Sequence, residues 1–261
     1  MVNEYLTSLS ESLKPDEIEL ASIEKSNNYL NKIINEELKG QVNSIKLFGS
    51  FERETFISVK YSPRSDIDLM IIYKESTALK PQTLLNKLKE IILKYYPNSI
   101  VYQDHPTISL ELQNIKFELV PTKTEWFLFS GDTLIIPVKN GDNHTWKKTY
   151  PSYALKYLAQ RDKAEKSLLR PLIRLLKYYN AKIEYKIPPF ILETKALELS
   201  YFFCETLQDY LFYFIEENEV LEPEENSKLK EMKKNIKMLQ GQNLQDYSLM
   251  EIQKHFKPIS A

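Results

Sequence analysis

The run Asp66–Tyr73, DIDLMIIY, constrains this chain more than any other: an apolar strand with two carboxylates at its head. In an extended strand residues i and i+2 share a face, so Asp66 and Asp68 project together while Ile67 and Leu69 turn into a core. Carboxylates held side by side repel each other unless a cation sits between them. Hard divalent ions such as Mg²⁺ take oxygen ligands of this kind and are usually shared with substrate phosphates. Upstream, Ile45, Leu47 and Phe48 read as a strand ending at Gly49-Ser50, where small residues let backbone approach a phosphate closely.

Holding two metals takes a third carboxylate. Residues 107–121, TISLELQNIKFELVP, read as a hairpin turning at Gln113-Asn114, with Glu118 on its second strand and Phe117 and Leu119 facing oppositely. A neighbouring antiparallel or mixed strand would bring Glu118 opposite Asp66 and Asp68. Two metals about 3.5–4 Å apart would then stabilise both the attacking and the leaving oxygen of an in-line displacement at phosphorus. Glu111, on the preceding strand, is the rival third acid. Alone, a Gly-Ser pair is ordinary turn chemistry, and a lone Asp-x-Asp is as easily a strand-end pair. Only their combination carries a catalytic reading.

In these residues the chain resembles the DNA polymerase β-like nucleotidyltransferase superfamily, and within it the cGAS/DncV-like branch (the CD-NTases). Arg53-Glu54-Thr55 follows the Gly-Ser turn as in the branch's GS-F/Y-x-R-x-T signature. Glu118-Leu119-Val120-Pro121 is similar to its acid-x-V-P element, and Arg174 to Asn180, RLLKYYN, to its R-L-L-K-Y-W-N helix. Two departures stand out. The third acid is usually Asp and here is Glu118, one methylene longer. Pro188-Pro189-Phe190-Ile191-Leu192-Glu193 carries proline where the branch's P-S-F/Y-x-x-E has serine.

The resemblance implies a template-independent nucleotidyltransferase that makes cyclic oligonucleotide signals from nucleoside triphosphates, including ATP, in bacterial anti-phage defence. It implies Asp66, Asp68 and Glu118 as catalytic residues and as ligands of two Mg²⁺, or of Mn²⁺ in their place. Gly49, Ser50, Arg53, Lys163 and Lys177 would bind the nucleotide. A ribose hydroxyl would attack the donor α-phosphorus and release pyrophosphate, with Glu118 as the proton acceptor. A transferase that modifies tRNA ends or a protein target is the alternative, as is a non-catalytic nucleotide-binding module on the same fold. Bases, linkage, ring size, activating signal and oligomeric state are not legible.

Elsewhere the chain is ordinary for a folded protein. Its 261 residues are 43% hydrophobic and 27% charged with a net charge of −1, enough for a sizeable core and little incentive to bind nucleic acid. Nucleic acid is not required in the preferred reading, which leaves room for a regulatory partner or ligand. The single cysteine, Cys204, allows no internal disulfide and fits a reducing cytoplasm. Its aromatic surroundings, Tyr201 to Phe203, suggest an inert buried thiol. Residues 1–20 lack an apolar stretch and carry several acids, so neither a signal peptide nor a membrane span is expected.

Periodicity predicts a helix from Pro15-Asp16-Glu17 to Gly40 and another over 81–95. Strands are expected at 44–48, 66–73, 99–103, 107–112, 115–121 and 133–138. Helices follow over 151–160, 163–180, 190–217 and 224–239, with Pro171 expected to kink or restart the second. This order gives an α+β fold, a mixed-sheet catalytic lobe over 1–145 packed on a helical lobe over 146–261, with 139–150 as the junction and a nucleotide cleft between them. Lys163, Lys166, Arg170, Arg174 and Lys177 recur at helical spacing as a basic stripe suited to triphosphate, although a solvated helix face has the same pattern. Tyr178, Tyr179, Trp146 and Tyr150 are candidates for stacking on a base. His105, His144 and His255 lack ligand spacing and receive no role.

Overall fold

The structure, a computed structural model, describes all residues except 75–78, 128–130, 141–142 and 258–261. Of 126, 127, 131, 132, 140, 143 and 144 it describes only the backbone. The first part of the chain runs α1 (Val2–Ser12), α2 (Glu17–Glu37), β1 (Val42–Phe48), α3 (Gly49–Glu52), β2 (Asp66–Tyr73) and α4 (Pro81–Tyr95). Five strands follow: β3 (Ile100–Asp104), β4 (Thr107–Glu111), β5 (Lys116–Phe127), β6 (Gly131–Asn140) and β7 (Asn143–Thr149). The rest is helical: α5 (Pro151–Ala164), α6 (Leu169–Lys182), α7 (Pro189–Glu198), α8 (Leu207–Glu217), α9 (Pro223–Gly241) and α10 (Gln245–Phe256).

Two compact units interleave along the sequence. One comprises Asp16–Glu54 and Arg64–Lys156; the other comprises Met1–Pro15, Thr55–Pro63 and Tyr157–Ala261. A single cut after residue 145 does not describe this division, because the units change over at four points. Nor is 139–150 a linker: β6 and β7 pair antiparallel from Leu134↔Thr149 to Asn140↔Asn143.

The first unit is a mixed sheet with helices. Its strands run β1-β2-β5-β4-β3, with β6 also paired to β5 and β7 to β6. β2 and β5 are parallel, and the other pairs are antiparallel. β2 sits between β1 and β5 with both faces buried from Leu69 to Tyr73, which explains why that run is apolar throughout rather than alternating. Met70, Ile72 and Val120 form an apolar cluster on one face, with Phe48, Leu134 and Ile136 against it. Ile67, Leu69, Ile71, Phe117 and Leu119 turn the other way and are fully buried. α4 buries Leu84, Leu85, Leu88, Ile91 and Ile92 and opens on Pro81, whose missing N–H costs nothing in a first turn. α2 starts two residues after Pro15, at Glu17: Asp16 is its N-cap, accepting from the Glu19 N–H at 2.8 Å.

The second unit is helical, and α1 was not anticipated. Val2, Leu6, Leu9 and Leu13 fall at helical spacing and are buried in a large apolar cluster with residues of α6 to α10. The cluster takes in Cys204 as well; burial pushes its thiol up, which suits the inert role expected of it. The helix expected over 190–217 is broken, and the one over 163–180, which Pro171 was expected to kink or restart, restarts at Leu169. Between α5 and α6, Lys166 and Ser167 take left-handed backbone angles, φ 57° and 59°. Asp162 replaces the lost turn: its Oδ1 accepts from the Leu169 and Arg170 N–H groups at 3.0 and 3.1 Å, capping α6 from seven residues upstream. Pro171 therefore lies in the first turn of a new helix, where its missing donor is tolerated. Between α7 and α8 the chain leaves helix at Leu199 and restarts at a Thr206–Asp209 capping box.

Candidate active site

The acids of the sheet unit converge through strand register. β2 and β5 run parallel with Asp66 opposite Lys116 and Asp68 opposite Glu118. Side chains alternate with period two on both strands, so all four project from one face. The hairpin expected over 107–121 is present, with Ser109 opposite Glu118 and the Leu112 N–H bonded to the Ile115 carbonyl across the turn. Glu111 pairs instead with the Tyr102 hydroxyl, which donates to it at 3.0 Å.

β1 brings the Gly-Ser turn to the same place. Phe48 is the β1 partner of Asp68, and the chain then turns at Gly49 into the short helix α3. Gly49 has φ +70°, and a Cβ there would lie 1.7 Å from Asp68 Oδ2. Only glycine can hold this backbone against that carboxylate. Ser50 follows in α3, and Arg53 caps the helix at its C-terminal end.

The electrostatics are those of crowded like charge. Burial, followed by the charges of Asp66 and Glu118, pushes the Asp68 carboxyl well above the usual range, and Arg53 and Lys116 only partly offset them. Glu118 is raised by burial and by Asp66, against the opposing Lys116. The Lys116 ammonium lies 2.6 Å from Glu118 Oε1 and 3.3 Å from Asp66 Oδ2. Burial pulls its pKa down, but the Glu118 hydrogen bond and both carboxylate charges more than offset this and hold it above the ordinary lysine range. Lys116 carried no signal in the sequence reading; its place beside Asp66 follows only from the parallel pairing.

Three carboxylates on one face, two of them with raised pKa, are the donor set a hard divalent ion requires. By chemistry the residues fit such an ion. Among the described residues no three His, Cys, Asp or Glu side chains enclose a metal position as they stand. Lys116 already bridges two of the three acids.

The basic stripe is largely committed within the helical unit. Lys177 is 8% exposed, and its ammonium donates to the Thr55 carbonyl, Thr55 Oγ1 and Glu193 Oε2, each at 3.1 Å. Thr55, Lys177 and Glu193 belong to three separate motifs, and they meet in one buried cluster. Arg174 donates to the Ser10 carbonyl and Glu11, and Arg170 bonds Asp162. Lys166 donates to the Cys204 carbonyl at 3.3 Å, whereas Lys163 is exposed on α5. The base-stacking candidates divide in the same way. Tyr178 and Tyr179 are core residues bonded to the Lys257 carbonyl and Glu225. Trp146 lies under the Lys123 ammonium at 5.4 Å, and Tyr150 is exposed.

Residues 1–162 match the family model of the Second Messenger Oligonucleotide or Dinucleotide Synthetase domain, SMODS. The chain belongs to this family. It is thus a nucleotidyltransferase of the CD-NTase kind, as the Gly-Ser, Asp-x-Asp and Arg-x-Thr motifs implied. Solved structures share the fold at low identity. Bradyrhizobium diazoefficiens CdnG in complex with GTP is 15% identical with a TM-score of 0.64, over 82% of this chain and 74% of that one. Elizabethkingia meningoseptica CdnE, a cyclic dinucleotide synthase with GTP and Apcpp, is 16% identical with a TM-score of 0.64, over 90% and 86%. E. coli MS115-1 CdnC in a HORMA-deltaN complex is 14% identical with a TM-score of 0.61, over 83% and 70%. No curated protein matches this SMODS chain in sequence. No helix among its described residues is long and apolar enough to cross a membrane.

Proposed function

We propose that this chain joins nucleoside triphosphates into a cyclic di- or oligonucleotide, using Asp66, Asp68 and Glu118 to hold the divalent cations that accompany the substrates. The observation that carries the reading is Asp68 itself, pressed against the Gly49 backbone on one side and paired with Glu118 on the other. Burial and the charges of Asp66 and Glu118 hold its carboxyl well above the usual range, a strain that a bound cation would relieve.

Bound there, Mg²⁺ or Mn²⁺ supplies the positive charge that a triphosphate and departing pyrophosphate require. The remaining roles belong to the chain. Gly49 and Ser50 hold the β- and γ-phosphates through backbone N–H groups and the hydroxyl, and Arg53 adds charge beside them. Glu118, whose raised pKa suits a proton acceptor, takes the proton of the attacking ribose hydroxyl. The freed oxygen forms its bond to the donor α-phosphorus as the bond to pyrophosphate breaks, and most of the acceleration comes from positioning. Lys163 and Lys177 bind phosphate in this scheme, and Lys177 must exchange Glu193 for the nucleotide to do so.

The setting that goes with this chemistry is cytoplasmic anti-phage signalling under a regulatory partner or ligand; E. coli MS115-1 CdnC has been solved in complex with HORMA-deltaN. The test is mass spectrometry of products from all four nucleoside triphosphates with Mg²⁺ or Mn²⁺ and no polymer. Cyclic products are expected. Label appearing only on added tRNA or protein would replace this reading with a polymer- or protein-modifying transferase.

A further inference from the structure

Lys116 lies two residues before Glu118 on β5 and directly across from Asp66 on β2. Its side chain is 22% exposed, against 30% for Asp66 and 18% for Glu118, so the three groups meet in a partly dry setting where charge interactions are strengthened. The ammonium touches both acids, at 2.6 Å from Glu118 and 3.3 Å from Asp66.

We propose that Lys116 is a built-in counter-cation, which bridges Asp66 and Glu118 while no metal is bound and is displaced when a divalent ion arrives. The inference rests on the reading of those two acids as metal ligands. Lys116 and Arg53 together only partly offset three neighbouring carboxylates, so the cluster remains short of positive charge and open to a divalent competitor. Until then Lys116 keeps the longer Glu118 side chain ordered and facing Asp66. It is therefore a positioning residue, and it sets metal affinity through competition. Removing its charge should tighten metal binding, whereas removing a ligand should weaken it.

The experiment is a Mn²⁺ titration of the full chain without nucleotide, followed by the electron paramagnetic resonance signal of free Mn²⁺. Asp66→Asn and Glu118→Gln are expected to weaken binding. Lys116→Met and Lys116→Gln are expected to tighten it by about tenfold or more, since a full charge is removed within hydrogen-bonding distance of the ligands. Wild-type protein supplies a second readout that does not depend on folding of a variant. Acetylation of Lys116 by an amine-reactive ester, located by mass spectrometry, should accelerate several-fold when Mg²⁺ replaces chelator.

Binding that needs Asp66 and Glu118 but is unchanged or weakened in both Lys116 variants overturns the counter-cation and leaves the metal site standing. Lys116 reactivity indifferent to Mg²⁺ does the same. Absence of any binding that depends on Asp66 and Glu118 overturns the metal reading together with it.

Discussion

Gly49 and Asp68 lie so close that a methyl group on Gly49 would fall 1.7 Å from an Asp68 carboxylate oxygen. The turn and the acid are therefore one unit, and Gly49→Ala tests it. Left-handed strain alone costs about 1 kcal/mol, and Asp68 must also move aside. Displacement of a reacting group by an ångström can cost about a hundredfold in rate. We expect product formation to fall by that order while the circular dichroism spectrum is retained.

Asp66→Asn combined with Asp68→Asn should abolish nucleotide turnover with the fold intact. Retained product formation in the double variant would end the assignment of these acids.

Asp68→Asn alone should raise the melting temperature of metal-free protein at neutral pH. Its carboxyl is raised above the unfolded value by burial and by Asp66 and Glu118. The folded state thus binds the proton more tightly, and that stability is present below the unfolded pKa and lost as pH rises through the folded one. In chelator, wild-type protein should gain stability relative to Asp68→Asn as pH is lowered from the folded pKa of Asp68 toward its unfolded value. Parallel melting curves across that window would contradict it.

Lys177 and Glu193 form a buried ion pair, with side chains 9% and 3% exposed. Removing one partner leaves an unpaired buried charge, a loss of about 3–5 kcal/mol. Lys177→Met and Glu193→Gln should each shift the urea unfolding of the helical unit to lower denaturant. Lys177→Met with Glu193→Leu should recover part of the loss. No change in either single variant would mean that the pair is not held in solution.

Asp162→Ala removes the acceptor for the Leu169 and Arg170 amides and the partner of Arg170. The expected loss is about 1–2 kcal/mol, in the range of an N-cap deletion. Hydrogen exchange should quicken at the Leu169 and Arg170 amides, and unchanged protection there would show that the cap is dispensable.

Short-range pattern sufficed for much of the protein. β2 spans 66–73 as expected and ends with its apolar run, and the hairpin of β4 and β5 turns where its sequence suggests. α4 follows its apolar stripe. The failures share a cause. Residues 163–180 keep helical spacing and Pro171 marked an interruption, yet the break falls earlier because Asp162 caps a new helix and Lys166 and Ser167 accept left-handed backbone. The basic stripe looked solvent-facing because spacing reports neighbours on one helix and not what packs against it. Arg174 and Lys177 are buried by partners more than a hundred residues away as well as nearby ones.

The sequence alone determined that two aspartates share a face, that a glycine turn precedes them and that a third acid lies on a later strand, because a period of two is written into neighbouring residues. Tertiary structure decided the partners. Parallel pairing of β2 with β5 set Glu118 beside Asp68 and Lys116 beside Asp66. Register between strands fifty residues apart is fixed by which faces are buried together, and no local spacing encodes it.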